Sequence, residues 1–146
     1  MNGLYALFVV AIAAVWAKLE IEIEGAHGWA ANLPTWRIEK HALLDRIYGG
    51  RPLTGYHVWA WVFLLLVFHM PFFWTGAWSF RGELRVLGGL IVFWLVEDFL
   101  WFVLNPHFGW KKFSPAYAWW HPRWCWGLPV EYWTLGVPGL LLFFLR

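Results

Sequence analysis

Four long apolar stretches confine this chain to helices that cross a lipid bilayer: Leu4–Leu19, Tyr56–Trp74, Leu84–Leu104 and Val130–Leu145. In hydrocarbon every backbone N–H and C=O must be satisfied inside its own segment, which an α-helix achieves. About 20 apolar residues suffice to span. The first and fourth stretches are shorter than that. The first is therefore expected to continue as helix through Glu20–Ala31, and the fourth to tilt or borrow its polar ends. Composition agrees, with 61% hydrophobic and 14% charged residues against about 25% charged in a soluble domain. The expected fold is an all-α, polytopic membrane protein, a single domain over residues 1–146 built as a four-helix bundle.

Local signals mark the ends. Thr54 reads as an N-cap, and Pro71 lies near the end of the second span. Asn105-Pro106 stops the third. The fourth is entered at Pro129, with a kink expected at Pro138. Ala13 and Ala17 have the small-xxx-small spacing that lets helices approach closely. Ala11-Ile12-Ala13 imitates a signal-peptide cleavage site, but no Lys or Arg precedes the apolar run, so the segment reads as a retained helix. In "LPTWRIEKHALLDRIYGG", Trp36, Leu43, Leu44 and Ile47 would form one face opposite Arg37, Glu39 and Asp45. That pattern predicts a helix lying in the interface plane. The 15 tryptophans exceed what interfacial belts need, so some are expected inside, and "AWWHPRW" predicts a Trp-rich loop cap.

Four antiparallel crossings put both termini on one side. The opposite side holds Lys18, Arg37, Lys40, Arg46, Arg51, Lys111, Lys112 and Arg123, against Arg81, Arg85 and Arg146 on the terminal side. The positive-inside rule makes the richer side cytoplasmic. Net charge is only +2, which gives no reason to expect a nucleic-acid partner. The single cysteine, Cys125, rules out an intramolecular disulfide and a Cys-rich zinc site.

The polar residues sort by depth. Spans two and three form a hairpin, so residues whose numbers sum to about 158 lie at similar depth. Glu97 and Asp98 then fall near Ala60–Trp61, one turn from His57. Glu20, Glu22, Glu24, His27, His107, His121 and Glu131 belong to the same end, and His69 to the other. A polar pocket on the Lys/Arg-rich side is expected. Two acids inside an apolar span are costly there and usually work in the interior. Adjacent helix positions are about 100° apart, so one of the pair enters the pocket and the other meets a neighbour. Glu24-x-x-His27 has the spacing that carboxylate-bridged dimetal bundles use twice. At a helix start, neutral His57 could be ligand or base. His121 could close the site from above. His107 and His41 read as solvated, and His69 as core or interface.

Val96–Pro106, "VEDFLWFVLNP", resembles the paired-carboxylate, Phe-rich helix of membrane lycopene cyclases. It lacks the proline that usually precedes those acids, and the rest of the chain does not follow that family. The resemblance implies acid–base chemistry on an isoprenoid.

Three functions follow. The first is an enzyme of lipid metabolism acting on a hydrophobic small molecule, with Glu24, His27, His57, Glu97 and His121 as ligands of zinc or iron. Glu97, Asp98 and Glu24 are then its catalytic carboxylates, with Asp98 orienting a ligating imidazole. The second is metal-free: a carboxylic acid protonates an alkene, indole faces stabilise the cation, and isomerisation or cyclisation follows. The third is a non-catalytic subunit or a lipid, quinone or pigment binder. Membrane lipids are expected neighbours in all three, and homo-oligomers are compatible with each. A b-type haem lacks histidines on facing spans. Ser79 and Ser114, the only serines, lie in no Gly-x-Ser-x-Gly elbow. Lys18 is too near a boundary for a retinal-type Schiff base.

Overall fold

The computed structural model describes residues 3–145, without the side chains of Ile47 and Tyr48. Ile47 of the expected surface-helix face and Arg146 of the charge tally lie outside what is described. Three helices are long and apolar enough to cross a membrane: α1 (Gly3–Glu24), α3 (Gly55–Thr75) and α4 (Phe80–Leu104). They point to a multi-pass membrane protein. A shorter apolar segment, Val130–Phe143, completes the bundle as α5 (Val130–Thr134) and α6 (Gly136–Phe143).

The caps explain the boundaries. The Thr54 hydroxyl accepts from the His57 N–H at the start of α3, and Ser79 accepts from Gly82 at the start of α4. α3 ends at Gly76 in the left-handed region, a geometry that suits glycine. Asn105 ends α4 just before Pro106.

α1 stops at Glu24 rather than running on to Ala31. Gly25 takes φ 63° and returns its N–H to the Ile21 carbonyl, which closes the helix. A second departure is the surface helix. Arg37–Ile38 (β1) pairs antiparallel with Leu53–Thr54 (β2), and only Ala42–Tyr48 (α2) is helical. Ladder bonds and the Arg37 guanidinium, which donates to the carbonyls of Ala30 and Leu33 at 2.9 Å, hold this stretch extended. Near Pro138 the helix is interrupted one turn earlier, at Leu135. Proline has no N–H to give to the carbonyl four residues back, so the Thr134 carbonyl goes without its helix bond and the break follows it.

α4 is the central helix. It runs along α1 on one side and α6 on the other and touches α3. A Cβ on Gly88 would lie 2.4 Å from the Phe143 backbone nitrogen, so this close crossing needs a glycine. Val9, Ala13, Leu64, Phe68, Val86, Leu90, Phe93 and Phe143 form one core. A second core gathers Ala17, Ile21, Trp101, Phe102, Ala118 and Trp120 beneath the 105–129 segment. Phe102 stacks on Trp120 at 5.4 Å, and Phe113 meets Trp124 edge-on at 5.3 Å. This large aromatic cluster caps one end of α4. Trp124–Cys125 (β3) and Leu128–Pro129 (β4) form a hairpin that delivers the chain to α5.

Candidate functional site

At the capped end lies a cavity of about 470 Å³. Helix α1 contributes Glu20 and Glu24; α3 contributes His57 and Trp61; α4 contributes Trp94, Leu95, Glu97, Asp98 and Trp101. Trp29, Arg51, Trp120 and His121 come from the connecting segments, and Glu131, Tyr132 and Leu135 from the α5 region.

The expected residues Glu24, His57, Glu97, Asp98 and His121 thus line one cavity. His27 does not. The helix ends at Glu24 and Gly25 turns the chain away, so Glu24 and His27 share no helix face, and His27 is exposed. Among the described residues no three His, Cys, Asp or Glu side chains are grouped to hold a metal ion. Several of the expected ligands have other partners. His57 Nδ1 lies 2.7 Å from Thr54 Oγ1, Glu24 Oε1 accepts the Ala30 N–H at 2.5 Å, and His121 Nε2 sits 3.2 Å from Asp98.

The cavity has two chemically distinct walls. On one, Asp98 receives His121 and, at 2.5 Å, the Tyr132 hydroxyl. Glu131 lies 3.8 Å from His121 Nδ1 and 3.6 Å from Arg51. Two carboxylates meet two cations there. Burial opposes the His121 imidazolium, but Asp98 outweighs it with help from Glu131 and pushes this imidazole up to about 9. His121 therefore carries its charge at neutral pH.

The other wall is built of acids met by neutral donors. Glu20 Oε1 accepts from the Tyr56 hydroxyl at 2.9 Å, and Glu24 from the backbone. Glu97, 3% exposed, lies against Glu20, and its Oε1 has no hydrogen-bond partner among the described residues. One turn on, Trp101 Nε1 is also without one. Each such orphan costs roughly 1–3 kcal/mol.

The roof is held by unusual backbone. Trp29 and Ala30 are consecutive non-glycine residues with φ 57° and 51°. The geometry lays the Trp29 indole flat on His57 at 4.2 Å, with the Arg51 guanidinium 4.6 Å from the indole ring. A Cβ on Gly28 would fall 2.4 Å from the Trp120 ring, so the 25–33 loop meets the aromatic cap through a glycine.

Arg51, Tyr56, Trp29 and Tyr132 are among the site residues that sequence reasoning missed, together with the apolar and indole lining from α4 and the cap. Tyr56 beside His57, and Tyr132 beside Glu131, are weak signals of their own. Their partners lie 36 and 34 residues away, which no local pattern reports. No protein-family model, curated protein or solved structure matches this chain.

Proposed function

We propose that this is a membrane enzyme that moves a double bond in a lipid-soluble substrate by proton transfer, with Glu97 as the acid. One observation carries the reading: a buried carboxyl with an unpartnered oxygen in a cavity walled by indoles. The alkene π pair takes the Glu97 proton and forms a C–H bond, leaving a carbocation at the adjacent carbon. Glu24, held as a hydrogen-bond acceptor by the Ala30 N–H, takes a proton from a neighbouring carbon, and the double bond reforms one position along. Indole faces stabilise the cation in between. Asp98, fixed by His121 and Tyr132, keeps the charged wall in place. In this reading Val130–Phe143 is a fourth crossing, α2 lies in the interface plane, and the cavity end faces the cytoplasm.

The test is incubation of protein in nanodiscs with a lipid extract in deuterated water. An isomerised product carrying deuterium is expected, and Glu97→Gln should cut its formation about 100-fold or more. No deuterated product, or a Gln variant as active as the parent, would sink the proposal. Stoichiometric zinc or iron in purified protein, lost on His57→Ala, would restore the metal-assisted reading. A reporter fused at the C-terminus should appear outside the cytoplasm; a cytoplasmic reporter would reverse the orientation and leave the chemistry standing.

A further inference from the structure

We infer that the same cavity is a binding site for a lipophilic organic cation, a quaternary or tertiary ammonium ion carrying an apolar tail. The inference deepens the acid–base reading, because an ammonium centre resembles the carbocation that reading requires, but it rests on the walls themselves.

Charge is balanced on one wall and not on the other. Asp98 and Glu131 already face His121 and Arg51. Glu20 and Glu24 accept from neutral donors, the Tyr56 hydroxyl and the Ala30 N–H. Glu97 adds a third acid, 3% exposed with an oxygen that lacks a hydrogen bond among the described residues. An organic cation filling the cavity would face the acids of α1 and the buried acid of α4, which line it from two helices. The surrounding surface is aromatic, with Trp61, Trp94, Trp101 and Trp120 lining the cavity. Indole faces attract cations, and desolvation strengthens the attraction. The molecule already uses that contact where the Arg51 guanidinium meets the Trp29 indole.

Size and ligand chemistry favour an organic cation over a bare ion. About 470 Å³ lies within the range of small-molecule pockets, and no three metal-ligating side chains are grouped among the described residues. The head group belongs against Glu97, and the tail belongs along the apolar lining of Leu95 and Leu135.

The experiment compares octyltrimethylammonium, octanol and octyl sulfate, below their micellar concentrations, on protein in zwitterionic nanodiscs. Binding is read by tryptophan emission and calorimetry. The ammonium should bind roughly tenfold more tightly than the alcohol, and the sulfate more weakly than either. Glu97→Gln should weaken the ammonium about tenfold and leave the alcohol unchanged. His69→Ala, at the other end of the bundle, should alter neither. Octanol binding as tightly as the ammonium, or full ammonium affinity in a folded Glu97→Gln variant, would overturn the inference. If that variant does not fold, the three ligands on the parent protein decide the matter. Ammonium binding without any deuterated product would sustain this site while removing the enzyme. Deuterated product unaffected by saturating ammonium would do the reverse.

Discussion

Each end of the bundle holds a histidine beside a carboxylate, and the two pairs are built to opposite standards. At the far end His69 Nε2 lies 2.9 Å from Glu83 Oε1, its Nδ1 meets the Leu65 carbonyl, and Trp78 Nε1 donates to Glu83 Oε2. Both ring nitrogens and both oxygens are engaged, which makes a fastening for the α3–α4 turn. At the cavity end His121 meets Asp98 at 3.2 Å, yet Glu97 Oε1, His121 Nδ1, Glu131 Oε2 and Trp101 Nε1 have no hydrogen-bond partner among the described residues. A structural pair closes its hydrogen bonds. A site keeps some open for what it receives. The same residue types therefore have different meanings, set by how fully their neighbours satisfy them.

The comparison breaks most easily at function. Glu97→Gln should lower product formation about 100-fold or more, while His69→Ala should leave it within roughly threefold. Equal losses in the two, with folding intact, would mean that the ends are not functionally distinct.

Stability should separate them next. His121→Ala leaves Asp98 and Glu131 facing each other across a mostly buried gap, and should cost roughly 3 kcal/mol. His69→Ala removes one partly buried pair, 19% and 24% exposed, and strands a single carboxylate at the rim of the bundle, which should cost about 1 kcal/mol or less. Denaturant unfolding in detergent micelles measures both; costs in the reverse order would contradict the contrast.

The pH dependence sharpens the same point. Despite the cost of burial, Asp98 raises His121 from 6.5 to about 9. A histidine whose value rises on folding stabilises the fold fully below its unfolded value and loses that contribution as pH climbs through the folded one. Tm of the parent should therefore fall between about pH 6.5 and 9. In His121→Ala that part of the decline should be missing.

The smallest effects concern two glycines. Gly28→Ala puts a Cβ 2.4 Å from the Trp120 ring and should cost about 1–3 kcal/mol while shifting tryptophan emission. Gly76→Ala meets open space at φ 64° and should cost about 1 kcal/mol. It should leave ammonium binding at the cavity unchanged.

What the sequence made legible was whatever depends on regular helix geometry. Rise per residue is constant, so matching depths along the α3–α4 hairpin put His57 and Trp61 beside Glu97 and Asp98. Thr54 showed itself as a cap because the cap is local. The shortness of the first apolar run argues for more helix beyond Leu19, but Gly25 ends it after Glu24, and the face that would have carried His27 does not exist. The strand pairing of Arg37–Ile38 with Leu53–Thr54 overrode the amphipathic pattern through bonds made 15 or more residues away. Arg51, Tyr56 and Tyr132 entered the site through tertiary packing alone, which sequence spacing does not encode.

The short fourth helical segment has a consequence for the membrane itself. Val130–Phe143 rises about 21 Å at 1.5 Å per residue, against a hydrocarbon core about 30 Å thick. As a crossing, it demands that lipid on its flank thin by several ångströms, since tilting would only worsen the shortfall. The bilayer would dip beside α5 and α6, bringing headgroups and water down toward Glu131 and Tyr132. A lipid diffusing in the membrane plane would then meet the cavity mouth at the bottom of that dimple, already partly drawn out of its leaflet. Short-chain bilayers should suit the protein better than long-chain ones.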